Sequence, residues 1–215
     1  MKKKTIIAVG SIGICAIIII ILVICLQSGY KSIYSIDGAV KVEEPERAFF
    51  TDNFGYPMMP ENYLQTLREA DFAICYGGLK NCSMISYEIF DPTWYTDPTD
   101  TVTWYISTFD IIIDDPVRNL DGVSKVRVAS ATRFSEGYML DSWPCTGGDI
   151  YSGNKGLFIL NKITDDPKWS IGEGENEIKL IDYADYFLGV YWESDGVSFN
   201  YYYTDIKIDD IREGR

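Results

Sequence analysis

The chain has 215 residues, 47% of them hydrophobic, carries a net charge of −13 and contains no histidine. The apolar share excludes general disorder, and the acidity argues against nucleic acid as a partner. The missing imidazole removes Ser-His-Asp and Cys-His nucleophilic sites and His-ligated zinc together.

Lys2, Lys3 and Lys4 stand immediately before Thr5 to Leu26, an uncharged run rich in isoleucine. At about 1.5 Å per residue such a run reaches roughly 33 Å as a helix, enough to cross a hydrocarbon core of about 30 Å. One transmembrane helix over 5–26 is expected, with residues 1–4 cytoplasmic and the rest outside the cell membrane. Two rivals use the same residues: a cleaved signal peptide, for which Leu26-Gln27-Ser28-Gly29 is a poor site, and a lipoprotein signal ending at Cys25, where Ile24 replaces the usual small residue.

Residues 27–60 read as a stalk, broken by Pro45, Pro57 and Pro60 and charged at Glu43, Glu44, Glu46 and Arg47. Val40, Val42, Phe49 and Phe50 mark a part of it that packs on the domain. Glu61 to Ala70 puts Tyr63, Leu64, Leu67 and Ala70 on one helical face, so one short helix opens a domain spanning 61–215.

From Asp71 the pattern changes to alternation among β-formers. Strands are expected over Asp71 to Gly78 and on through Cys82 to Phe90, then Thr101 to Asp114, Val123 to Ala131, Leu157 to Ile163, Tyr186 to Ser194 and Val197 to Ile208. Asp91-Pro92, Asp97-Pro98, Asp115-Pro116, Gly147-Gly148 and Asp166-Pro167 mark turns. Asp195-Gly196 suits a two-residue type I′ turn, which would set Trp192 across from Phe199 and Val190 across from Tyr201. In the first strand Phe72, Ile74 and Tyr76 share one face and Ala73, Cys75 and Gly77 the other; which of them faces inward stays open.

The run FAICYGGLKNCSMISYEI, followed by TVTWYISTFDIIIDD, VSKVRVAS and GLFILNKI, resembles the OB-like β-barrels of the netrin and tissue-inhibitor-of-metalloproteinase type on membrane-anchored exported proteins of Gram-positive bacteria. The resemblance implies a mainly β, OB-like antiparallel barrel with one short helix. It does not carry metalloprotease inhibition with it. Those inhibitors act through a cysteine-led free amino terminus, whereas here that end is joined to the stalk and no cysteine precedes Cys75 in the domain. Strand count alone leads to the same class, since a barrel or sandwich hides sheet edges.

Beyond the span lie Cys75, Cys82 and Cys145. Cys75 and Cys82 would face opposite sides of one regular strand, so Cys82 with Cys145 is the candidate disulfide; three buried thiols are the alternative. Acidic side chains cluster at Asp91, Asp97 and Asp100, at Asp165 and Asp166, and at Glu173, Glu175 and Glu177. A pair about 5–10 Å apart could serve a glycosidase, but loop acids of this kind are ordinarily solvated. No cofactor, metal or catalytic residue is expected.

Aromatic residues make up 14% of the chain, and an aromatic barrel face can stack sugar rings. Trp94, Trp104, Tyr191, Trp192 and Tyr202 are the candidate ligand-binding residues, against the plainer reading that they pack the core. The functional expectation is a membrane-anchored, non-enzymatic domain that binds a protein or an envelope glycan. A structural subunit of a membrane assembly and a carboxylate-dependent hydrolase are the alternatives. Protease added to spheroplasts is expected to digest the chain beyond residue 26; full protection, scored by immunoblot, would reverse this topology.

Overall fold

The computed structural model describes residues 29–42, 72–90, 101–135, 138–143, 145–146, 153, 155–172, 174–201 and 204–213. The chain divides into two compact units, Met1–Lys31 and Ser32–Arg215. The expected span Thr5 to Leu26 and the expected helix Glu61 to Ala70 lie outside the described residues. Among the described residues no helix is long and apolar enough to cross a membrane.

The second unit is mainly β. Its strands are β1 (Val40–Lys41), β2 (Ala73–Phe90), β3 (Thr101–Arg118), β4 (Lys125–Ser135), β5 (Tyr138–Trp143), β6 (Cys145–Thr146), β7 (Lys155–Lys162), β8 (Ser170–Ile171), β9 (Ile178–Lys179), β10 (Tyr186–Glu193), β11 (Ser198–Tyr201) and β12 (Thr204–Lys207), followed by one short helix, α1 (Ile208–Arg212). An eight-stranded sheet runs β5-β4-β3-β2-β7-β10-β6 with β1 beside β2, while β8-β9 and β11-β12 form separate pairs.

The expectation of a closed antiparallel barrel needs correcting. β10 meets β4 in parallel, not antiparallel, and only at Tyr186↔Val128 and Phe187↔Ala129, with the Asp185 N–H donating to the Arg127 carbonyl at 3.1 Å. Further along, β10 turns to β6 at Val190↔Cys145, and β4 takes β5 from Ala131 onward. The sheet rolls until its ends touch over two residue pairs, and elsewhere the seam is open.

Both faces of the sheet are apolar. Ala73, Cys75, Leu79, Phe109, Ile111, Val126, Val128, Phe158, Leu160, Leu188 and Tyr191 form one buried cluster, and alternation places these side chains on the inner face. The question left open by the small-residue face is thus answered: Ala73 and Cys75 point in. Ile74 points out, into a cluster with Leu157, Ile159, Trp192, Phe199, Ile206, Ile208 and Ile211 under the C-terminal hairpin and helix. A third cluster, with Ile85, Tyr87, Ile106, Ala129, Trp169, Leu180 and Phe187, lies on the same outer face farther along. Even positions of β2 face out at Ile74 and odd ones at Ile85, because the ladder shifts register between Lys80 and Ser83. At that bulge Asn81 adopts φ 54° and its amide donates to Asp110 Oδ2 at 2.8 Å. An inserted residue swaps which parity faces the core.

Of the segment 27–60 only residues 29–42 are described, and Phe49 and Phe50 lie outside the described residues. Ile33 is buried in the third cluster, whereas Val40 is exposed and joins only through its backbone, opposite Ser86. The Asp115-Pro116 turn marker misled. Proline sits within β3, opposite Cys75 at an irregularity in the ladder, where β4 no longer flanks β3 and a missing N–H costs no ladder bond. The chain reverses instead around Asn119 and Gly122, both with positive φ.

The hairpin register also needs correcting. Ser194, not Trp192, bridges to Phe199, and of the two central residues only Gly196 has positive φ, at 89°. The Asp195 carboxylate accepts the N–H groups of Val197 at 2.8 Å and Ser198 at 2.9 Å. These bonds widen the turn and hold the acid below its usual pKa, the Ser198 bond first. The expected strand Val197 to Ile208 is then split, with β11 pairing β12 at Phe199↔Ile206. Trp192 still stacks on Phe199, with ring centroids 4.7 Å apart. Gly196→Val would force a β-branched residue into that positive φ and bring its Cβ to 3.1 Å from the Tyr76 ring. A loss of about 1–3 kcal/mol, read as a lower Tm by calorimetry, is expected; an unchanged Tm would refute the turn.

Candidate functional site

A cavity of about 140 Å³ lies between the outer face of the sheet and the segment that crosses it before β10. Its sheet side is built by Trp104 on β3, Ala131 and Arg133 on β4, and Phe187 on β10. Trp104 and Arg133 are direct register partners, so the guanidinium sits over the indole ring, 5.5 Å from its centroid. Such cation–π contacts contribute about 0.5–2 kcal/mol.

The covering side comes from Lys168, Trp169, Ser170, Ile171 and Leu180. A 3-10 turn, Pro167–Trp169, starts at Asp166, whose carboxylate accepts the Lys168 N–H at 3.0 Å, with proline in the first turn. β8 leaves that turn and pairs with β9 at Ser170↔Lys179 and Ile171↔Ile178. The Trp169 ring is thereby pressed against Phe187, with centroids 5.4 Å apart. Lys168, exposed at the rim, lies 5.2 Å from the Trp169 ring centroid.

Trp104 and Trp169, which both line the cavity, each carry a polar atom that the protein does not satisfy. The indole nitrogens of Trp104 and Trp169 are buried without a hydrogen-bond partner, and Trp169 as a whole is only 9% exposed. A buried donor left unpaired costs about 1–3 kcal/mol.

Of the expected ligand-binding residues that are described, Trp104 alone reaches this site. Tyr191 is 1% exposed and packs on Phe158 at 5.1 Å, with its hydroxyl donating to the Lys155 carbonyl at 3.3 Å. Trp192 is 6% exposed, under the C-terminal hairpin. Both are core residues closed to a ligand. Trp94 and Tyr202 lie outside the described residues. Trp169, Arg133, Lys168 and Phe187 were not anticipated. The signals that could have flagged them are a tryptophan two residues after Pro167 and the arginines that interrupt the run VRVASATRF.

Among the described residues the acidic clusters assemble no centre. Asp91, Asp97, Asp100 and Glu173 lie outside the described residues, while Asp165, Asp166, Glu175 and Glu177 are exposed. Among the described residues no group of three or more His, Cys, Asp or Glu side chains could hold a metal ion.

Cys82 is a free thiol, so the candidate bridge to Cys145 is not made. Cys145 pairs with Val190, which pairs through Ile159 with Ile74. From Ile74 to Cys82 β2 runs on for roughly 25 Å, far beyond the Cα separation of about 7 Å that a disulfide tolerates. Burial pushes the Cys82 thiol up to about 11, with Arg127 pulling the other way. Burial, helped by the Asp115 charge, pushes Cys75 up to about 12 from 9.0. Between those two values the unfolded chain has released a proton that the folded chain still holds, so rising pH favours unfolding. Stability is therefore expected to fall from about pH 9 upward, and less steeply in Cys75→Ala, as measured by denaturant melts across that range.

No protein-family model, no curated protein and no solved structure matches this chain.

Proposed function

We propose that this is a non-enzymatic binding domain, held outside the cell membrane by the span Thr5 to Leu26, that takes up a ring-shaped group of an envelope glycan in the cavity between Trp104 and Trp169. The observation that carries this reading is one cavity walled by the rings of Trp104, Trp169 and Phe187. Flat aromatic walls with a few placed polar groups are the usual make-up of small-ligand sites.

The strand order supports the OB-like part of the reading. β2, β3 and β4 form a meander, β7 pairs back on β2, and β10 joins β7 to β4 in parallel. That is the connectivity of OB-type, partly open barrels, which bind oligosaccharides and oligonucleotides on their faces. The acidity of the chain leaves the saccharide. Against the hydrolase alternative, the described lining includes two cations and no carboxylate, so a general-acid and general-base pair has no seat in this cavity.

Ala131 is a buried wall residue, and enlarging it fills the cavity from the sheet side while both tryptophans are kept. In Ala131→Leu, full-length protein in detergent is expected to keep or raise its Tm and to lose retention on immobilised envelope polysaccharide. Equal retention of the variant and the parent would overturn the reading.

A further inference from the structure

The surface that the cavity offers a ligand is mainly carbon. Ala131, Ile171, Leu180 and Phe187 bring no polar side-chain atom, and the indole nitrogens of Trp104 and Trp169 are buried, which leaves the ring carbons as the lining. Both cations are engaged elsewhere. The Arg133 guanidinium lies over the Trp104 ring, while the Lys168 ammonium stands 3.9 Å from the Asp166 carboxylate and over the Trp169 ring. The volume, about 140 Å³, is close to that of a dry apolar cavity of about 150 Å³ that holds one benzene molecule. A hexopyranose has twice benzene's heavy atoms, and each hydroxyl it carried inside would give up water for a lining whose one hydroxyl is that of Ser170.

Resting on the binding reading above and narrowing it, we propose that the cavity selects an uncharged, apolar ring of about benzene's size, with any polar substituent left at the rim beside Lys168. Burial of the ring against Trp104, Trp169 and Phe187 supplies the affinity, by removing apolar surface from water and by aromatic contact. Selectivity comes from what the lining lacks, since a charge or a set of hydroxyls brought inside loses its water and gains no equivalent partner. The same chemistry is offered by an apolar substituent on a glycan and by a free small aromatic molecule.

Calorimetric titration of the full-length protein in detergent tests this, with the parent and Ala131→Leu run side by side so that uptake by the micelle cancels. Benzyl alcohol is expected to bind the parent saturably and to lose that binding in Ala131→Leu, whose Tm shows that it is folded. Benzoate and benzylammonium, which keep the ring and add a charge, and methyl β-glucoside, which has no aromatic ring, are each expected to bind the parent about tenfold more weakly or less. 1-Naphthalenemethanol, whose second ring has no room, is expected not to bind. A charged, sugar or naphthalene probe that binds as tightly as benzyl alcohol overturns the proposal, and so does equal uptake of benzyl alcohol by parent and variant. Benzyl alcohol that elutes the protein from immobilised envelope polysaccharide assigns the ring to a substituent of the polymer; saturable binding without retention on the polysaccharide assigns a free molecule and removes the glycan from the reading above. If retention is lost in Ala131→Leu although benzyl alcohol never binds, the ring selectivity falls and the glycan reading survives.

Discussion

The structure depends on a sheet that is apolar on both faces. From Leu157 to Leu160 every side chain of β7 is buried, the even positions inward against Phe109 and Tyr191 and the odd ones outward against Trp192 and Ile206. A rolled sheet hides only its inner face. Each outward-pointing Leu, Ile or Trp gains about 1.5–3 kcal/mol when something else covers it, and the described segments outside the five long strands meet that requirement. Ile33 and the crossing segment from Ile163 to Ala184 cover one stretch, and the C-terminal hairpin with α1 covers the other.

Fitting covers of irregular backbone to a twisted sheet leaves room where the two curvatures differ. The crossing segment meets the sheet through Trp169, Ile171 and Leu180, held by a 3-10 turn and a two-residue strand pair in place of a long ladder. Large flat rings bridge such a gap without filling it, and each indole brings an N–H that needs an acceptor. The inner core, by contrast, is tightly closed. At Gly156 even a Cβ would run into the Trp192 carbonyl and the Tyr191 ring. The same strand pair thus tolerates no added atom on its inner side, while the outer side, over β3, β4 and β10, keeps a cavity.

The long strands were readable because alternation and β-branching speak for themselves over many residues: β2, β7 and β10 begin or end within two residues of where the pattern puts them. Irregularities were not readable. The bulge at Asn81 depends on a partner, Asp110, distant in sequence, and the turn at Asp195-Gly196 is decided by side-chain bonds from Ser194 and Asp195 that a dipeptide rule ignores. Pro116 misled because its tolerance depends on which strand lies beside it. For the site, aromatic abundance pointed to a class of residue without telling buried from exposed. Tyr191 and Trp192 are adjacent in sequence and buried in different cores, whereas Trp104 and Trp169, far apart in sequence, line one cavity.

The parallel contact of Tyr186 with Val128 also fixes an order of events as the chain is made. β2, β3 and β4 pair as neighbours through two connections and need nothing downstream. Until Leu160 and Phe187 have been synthesised, one edge of β2 and one edge of β4 stay open, and open edges invite pairing with other chains. The seam is a late, long-range closure whose loop entropy must be met before it adds stability. Trp169 arrives before the seam, and Phe199, Ile208 and Ile211 arrive after it, so the half-made domain shows bare apolar sheet longest where the C-terminal hairpin will lie. Holding that surface apart from other nascent chains is a demand that comes before the C-terminal hairpin exists to cover it.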